Sequence, residues 1–242
     1  SEMFNIGIDA SFFNGKLNLE ADWFYKKTND ILRERTDMPA ILGYKLPAAN
    51  VGKVDNRGID LNITHRNHLR DFNYSIAGNL TWARNKVIDL LEPAGEKNNP
   101  RQRSTGHSMS QYFGYEALGL FQSDEEANNW PQPQFGKAKA GDIKYKDQNG
   151  DGIIDAEDEI AIGRSNYPEL VYGLNLNAEW KGFDITFFFQ GAALADFYYN
   201  GYLAFPYIEG RGGALLEHHI GNTWTPENPK AEFPRLYYGG NA

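Results

Sequence analysis

A chain of 242 residues is long enough to bury a sizeable core as one or two domains. Its net charge of −8 argues against nucleic acid as a partner. It contains no cysteine, which excludes a disulfide framework, thiolate metal ligation and a Cys nucleophile.

The opening, SEMFNIGID, has neither the basic head nor the apolar run of a signal peptide. An exported protein would therefore be represented here by an internal piece. Residues 4–13, FNIGIDASFF, alternate: Phe4, Ile6, Ile8, Ala10 and Phe12 fall on one face, Asn5, Gly7, Asp9 and Ser11 on the other. Asn14-Gly15 is a strong hairpin signal, and the spacing predicts a two-residue turn. A second strand over 16–27 sets Leu17, Leu19, Ala21, Trp23 and Tyr25 against Asn18, Glu20 and Asp22. Residues 35–50, broken by Pro39, Gly43 and Pro47, read as a long connection.

A third strand is expected near 54–67, with Ile59, Leu61 and Ile63 opposing Asp60, Asn62 and Thr64. A short turn near His68–Asp71 leads to a fourth over 72–84, which carries Phe72, Tyr74, Ile76, Leu80 and Trp82 on one face. A very long excursion, 86–166, follows. Its tip, 93–110, is rich in Gly, Asn and Arg and is expected to be mobile, and 124–129 is expected to start a short helix with Asp124 near its N-cap. A fifth strand, 170–180, and a sixth, 183–191, are joined at Lys181-Gly182. Residues 194–242 read mostly as loop.

Within the excursion, Asp147 to Asp158 reads DQNGDGIIDAED. Asp147, Asn149, Asp151, Asp155 and Asp158 stand at positions 1, 3, 5, 9 and 12 of a twelve-residue calcium loop, with Gly152 at the sharp turn and the Ile153 carbonyl at position 7. Hard oxygen donors on alternate residues let a tightly wound loop aim them at one Ca2+. Asp158 departs from the Glu usual at position 12 of helix-loop-helix calcium proteins and is one methylene shorter. The competing reading is an Asp/Asn/Gly-rich turn without metal. Four carboxylates in one turn repel each other without a cation, so the loop is expected to need Ca2+ for order.

Connections alternate short and long, each strand has one apolar and one polar face, and Trp or Tyr sits near strand ends at Trp23, Tyr25, Trp82 and Trp180. The fold class expected is all-β: an antiparallel up-and-down segment of a transmembrane β-barrel, about six strands, with long extracellular loops. The negative mean hydropathy does not oppose this, because half of each barrel strand faces a polar lumen. A soluble antiparallel sandwich also alternates, but rarely needs a connection as long as 86–166.

Four stretches resemble the SusC/RagA-type, TonB-dependent outer-membrane importers: Asn50 to Leu61 (NVGKVDNRGIDL), Tyr115 to Phe121 (YEALGLF) with Gln122, Glu125 and Glu126, Gly141 to Gly163 with Lys181 to Asp184 and Phe189 to Gly191, and Trp224 to Arg235 (WTPENPKAEFPR). The resemblance covers nearly the whole chain. It implies that residues 1–242 are an incomplete portion of one TonB-dependent barrel domain, with 141–163 a calcium-loop insertion and the plug domain absent. It further implies import of a glycan or oligosaccharide across the outer membrane of a Bacteroidetes-type Gram-negative bacterium. By the same resemblance TonB is expected to supply energy through the absent N-terminal part, a SusD-like surface lipoprotein to cap the mouth, and outer-membrane lipid to surround the barrel.

Tyr112, Tyr115 and Trp130 are candidate contacts to substrate or lid, since aromatic faces suit sugar C–H surfaces. Each could instead pack the loop's own small core. Alternative cargoes are peptides, a siderophore or cobalamin; the alternative class is a soluble calcium-stabilised carbohydrate-binding β-module. An enzyme is not expected. His65, His68, His107, His218 and His219 lack metal spacing, and there is neither a Gly-rich phosphate loop nor G-x-S-x-G. Asp9, Glu20, Asp22, Asp60, Glu179 and Asp184 read as polarity of the pore wall.

Overall fold

Alternating side chains are what build the main sheet of the computed structural model. The structure describes residues 1–33, 47–90, 92, 104–200, 204 and 215–236. They fall into two compact units. The first holds Ser1–Ala94, Ser104–Gln111 and Gly163–Asp196; the second holds Gly95–Arg103, Tyr112–Ile162 and Phe197–Ala242.

The first unit is one antiparallel sheet of β1 (Glu2–Phe12), β2 (Leu17–Arg33), β3 (Ala49–Leu69), β4 (Phe72–Asp89), β11 (Leu170–Trp180) and β12 (Phe183–Ala193), hydrogen-bonded in that order. The order is up-and-down, with β4 and β11 joined across the long excursion. Several strands run past their expected ends, furthest β2 to Arg33, β3 back to Ala49 and β4 to Asp89, and by two residues β1 back to Glu2 and β12 to Ala193. The expected connection 35–50 lies mostly outside the described residues, and its last two positions, Ala49 and Asn50, belong to β3.

Register aligns like with like. Ile6, Trp23, Ile59, Trp82 and Leu170 form one apolar row; Ile8, Ala21, Leu61, Leu80 and Tyr172 form the next. On the other face, Asp9, Glu20, Asn62, Asn79, Gly173 and Gln190 share a row. This polar face is laced by Asn62 Nδ2 donating to Glu20 at 3.0 Å, Asn73 Nδ2 to Glu179 at 3.2 Å and Thr186 Oγ1 to Asn177 at 2.8 Å.

The apolar face is left open. Ile8 is 63% exposed, Phe183 77% and Phe189 55%, and no second sheet covers them among the described residues. A water-soluble sandwich would bury these side chains. Among the described residues a small core of the sheet, Val54, Val87 and Leu90 with Ile31, lies at one end. Residues 104–110, expected in a mobile tip, are held at that same end. His107 O accepts from Val87 N, and Gly106 N donates to Val87 O, each at 2.8 Å. The rest of that tip, 93–103, lies outside the described residues.

The first hairpin keeps the register of a two-residue Asn14-Gly15 turn, since Phe12 pairs with Leu17. Phe13, however, takes φ 56°, and Lys16 N reaches Phe13 O at only 3.4 Å. The strands therefore end one pair early, and the loop is 13–16.

The second unit is made of short pieces. These are β5 (Tyr112–Gly114), β6 (Ala117–Leu120), α1 (Asp124–Asn128), β7 (Gln132–Pro133), β8 (Ile143–Tyr145), β9 (Ile153–Ile154) and β10 (Ile160–Ile162). They pair as β10–β5, β6–β8 and β7–β9. Its core is Phe121, Ala127 and Ala138 with Trp130 against them. Asp124 is the first residue of α1, next to the N-cap Ser123. Ser123 Oγ accepts from Glu126 N at 3.1 Å, and Glu126 Oε2 accepts from Gln122 N, one residue before the cap, at 2.8 Å. Asp124 Oδ1 instead accepts from Ala140 N at 2.9 Å.

Candidate functional site

Chemistry-bearing residues gather in the second unit, around the Asp147–Asp158 loop. Its side chains hold its own backbone. Asp147 accepts from Gly150 N at 2.6 Å and from Gly152 N at 2.8 Å. Asn149 Oδ1 accepts from Asp151 N at 3.0 Å, Asp151 Oδ1 from Ile153 N at 2.8 Å and Asp155 Oδ1 from Glu157 N at 2.8 Å. Side chain to i+2 bonds at positions 3, 5 and 9, with the i+3 and i+5 bonds of position 1, wind the loop. Gly152, at φ 85°, sits where only a residue without Cβ turns freely.

Asp158 closes the loop from a 3-10 turn, Ala156–Asp158, and is fully buried. Its Oδ1 accepts from Gln148 N at 2.7 Å and Asn149 N at 3.4 Å, and its Oδ2 from Asp155 N at 2.9 Å. The shorter Asp thus ties both ends of the loop together. Ile153 and Ile154 form β9 against β7, with Ile154 1% exposed, which anchors the ligand turn within the second unit.

The donor set suits a hard cation: four carboxylates, one amide and one backbone carbonyl, all oxygen. Among the described residues none of the four carboxylates is in an ion pair. Their side chains are turned onto backbone N–H groups, and among the described residues no three His, Asp or Glu side chains are gathered as they would be round a metal ion. The residue types and the winding fit calcium. Convergence on one point is the part that the ion would have to draw in.

Beside the loop lies an aromatic trio. Tyr115 meets Phe135 at 5.8 Å and Tyr145 at 5.2 Å between centroids, and Phe135 meets Tyr145 edge-on at 6.1 Å. Phe135 is held there because its neighbour Gln134 donates its N–H to Ile154 O at 3.0 Å and its side-chain amide to Asp155 Oδ2 at 3.1 Å. Burial, more than the nearby Asp142 and Tyr198, raises the Tyr145 phenol above its ordinary pKa. Next to Tyr115, Glu116 takes Lys146 Nζ at 3.0 Å and Gln148 Nε2 at 2.8 Å. Those two hydrogen bonds, Lys146 first, lower its pKa.

The three candidate aromatics separate. Tyr115 joins the trio. Tyr112 stacks on Tyr198 at 5.6 Å. Trp130 packs on the small core, donates Nε1–H to Tyr145 O at 2.8 Å, and has Lys144 Nζ 4.0 Å over its ring. Lys144 in turn pairs with Glu126 at 2.9 Å. Phe135 and Tyr145 escaped the sequence reading. The signal available was Gln134 and Phe135 preceding a turn glycine, and Tyr145 flanked by two lysines at the loop's entry.

The five histidines form no metal site among the described residues. His219 is buried and packs edge-on against Phe233 at 4.7 Å.

A family model described as TonB dependent receptor-like, beta-barrel, matches residues 1–158. TonB-dependent receptor P26 of Formosa agariphila is 33% identical over 251 residues, covering 98% of this chain and 24% of that protein. TonB-dependent receptor SusC of Bacteroides thetaiotaomicron is 24% identical over 210 residues, covering 83% of this chain and 20% of that protein. Among solved structures, a chain of the RagAB peptide importer in the 'open-open' state superposes with a TM-score of 0.73 at 22% identity, covering 98% of this chain and 25% of that one. At that identity the likeness speaks for the fold. The chain spans about a quarter or less of the length of these curated relatives.

Proposed function

The chain belongs to the TonB-dependent receptor-like β-barrel family, and on that premise we propose that it forms part of the wall and outer loops of an outer-membrane, TonB-dependent importer. The observation that carries this is the open apolar face. From Phe72 to Trp82, β4 advances ten residues, about 34 Å along the strand, or roughly 26 Å of depth at a barrel tilt near 40°. That matches the apolar band of an outer-membrane barrel, and an aromatic residue closes it at each end. The polar face then lines water.

The cargo we favour is an oligosaccharide, taken up together with a SusD-like lipoprotein that covers the loops. The trio of Tyr115, Phe135 and Tyr145 offers faces for sugar C–H groups, and Glu116 and Gln148 offer partners for hydroxyls. Calcium, when bound, would be held by Asp147, Asn149, Asp151, Asp155 and Asp158 with the Ile153 carbonyl. It would supply charge neutralisation and stiffening. The chain's own part is to place Gln134 and Phe135 through Ile154 and Asp155.

Uptake of labelled oligosaccharides and labelled peptides by cells producing the full-length receptor tests the reading. Oligosaccharide uptake that stops when TonB is deleted supports it. Uptake indifferent to TonB overturns the importer, and TonB-dependent uptake of peptides alone moves the cargo to peptides.

A further inference from the structure

The apolar face ends differently at its two rims. At the short-turn rim the last rows are Asn67, Tyr74, Ala178 and Ile185, then Leu69, Phe72, Trp180 and Phe183. At the other rim the row of Trp23 and Trp82 is followed by Phe4, Tyr25, Arg57 and Arg84, then by Glu2, Lys27, Asp55 and Lys86. Cations therefore begin one step past the aromatic row, on the face that otherwise carries Leu, Ile and Phe.

Arg57 and Arg84 lie directly opposite each other on β3 and β4. Like charges facing across an antiparallel pair are destabilising unless something between them is negative. The protein supplies little. Glu169 is shared between Arg84 Nε at 3.3 Å and Arg164 Nη1 at 3.2 Å. Asp55 accepts the Tyr25 hydroxyl. Among the described residues no carboxylate pairs with Arg57. Arg57, Lys27 and Lys86 are exposed, as is more than half of the Arg84 side chain. The cationic step is thus the Arg57–Arg84 pair; the row beyond it, Glu2, Lys27, Asp55 and Lys86, alternates in sign, in a chain whose net charge is −8.

Position decides the partner. One two-residue step past Trp82 is about 7 Å along the strand, or roughly 5 Å higher at barrel tilt, which is the depth where hydrocarbon gives way to head groups. Guanidinium forks match phosphate oxygens two at a time. We propose that Arg57 and Arg84, flanked by Lys27 and Lys86, form a binding site for the phosphate of an anionic membrane-lipid head group, seated over the β3–β4 ladder. The inference rests on the membrane reading of the apolar face.

The test uses the full-length receptor in nanodiscs of equal parts phosphatidylcholine and phosphatidylglycerol, with retained lipids counted by native mass spectrometry. Phosphatidylglycerol is expected to be enriched among them. Loss of two charge-assisted contacts in Arg57→Gln/Arg84→Gln should cut the enrichment by about tenfold or more. Lys181→Gln, at the opposite rim, should leave it unchanged. If the double variant fails to insert, Arg57→Gln alone, which disturbs no ion pair, should still lower it. Equal enrichment in wild type and the Arg57 variants, or an equal loss in Lys181→Gln, overturns the site while leaving the barrel intact. Retention of neither lipid overturns the membrane reading instead.

Discussion

Arg235 and Asp142, 93 residues apart in sequence, meet at two points: Nε to Oδ1 at 2.6 Å and Nη2 to Oδ2 at 3.3 Å. Arg235 N also donates to Gly141 O at 2.9 Å, so the end of the 215–236 segment is sewn to the start of the calcium hairpin. Both side chains are about a fifth exposed, with relative exposures of 22% and 19%, so solvent screens the pair only in part.

Breaking that tie should loosen one segment rather than unfold the unit. Asp142→Asn is expected to cost about 1 kcal/mol and to speed protease cleavage within 215–236. Gly141→Ala should cost more, about 1–3 kcal/mol. Gly141 has φ +83°, and an added Cβ would come within 2.4 Å of Trp224 Cε3. Limited proteolysis with mass mapping reads both variants, and cleavage as in wild type would count against the tie.

The calcium loop makes a second prediction. Asp151→Ala removes one donor and the acceptor for Ile153 N, and should weaken Ca2+ binding followed by terbium luminescence. Chelator should raise cleavage within 141–163 in the native chain and make little difference in the variant. Identical cleavage with and without chelator in the native chain would remove the ordering role.

Depth and facing give a third. Leu174 lies on the apolar face between Gly78 and Phe189, and Asn175 on the polar face between Ala77 and Phe188. Leu174→Arg should cost roughly 2–4 kcal/mol at mid-bilayer, and Asn175→Arg far less. Equal losses in a reversible urea-unfolding measurement in liposomes would contradict the assignment of faces.

Acidity should act on Glu116. Its carboxylate is held below its ordinary pKa by Lys146 and then Gln148. A lowered folded value means that the contribution is full above the unfolded value and fades as pH falls through the folded one. NMR titration of the side-chain carboxyl should place its midpoint below the ordinary Glu range, and Lys146→Ala should move it back up. A midpoint indifferent to that substitution would show that the contact with Lys146 is not what holds the proton off.

The six long strands were legible because period-two alternation persists over ten or more residues, long enough to outvote local exceptions such as Phe24 and Phe188 on the polar face. Strand ends were harder to place. Thr28 and Asn50 look like loop residues, yet β2 and β3 carry them, with bulges between Thr28 and Leu32, because the partner strand continues. The short ladders β5–β10, β6–β8 and β7–β9 have two to four residues each, too few to show any period. Donor order in the calcium loop was legible from spacing alone. The trio of Tyr115, Phe135 and Tyr145 was not, since it joins three separate pieces of chain that only tertiary packing brings together.

Along β4 the residues Phe72, Tyr74, Ile76, Gly78, Leu80, Trp82 and Arg84 share one face. Each step between them is close to 5 Å of depth at barrel tilt. Because the chain has no cysteine of its own, one introduced at any of these positions would carry a unique nitroxide. Collision with oxygen, which is richest among acyl chains, should then peak near Gly78 and fall toward both aromatic ends. The strand is thus a graduated scale, and seven single labels would calibrate it.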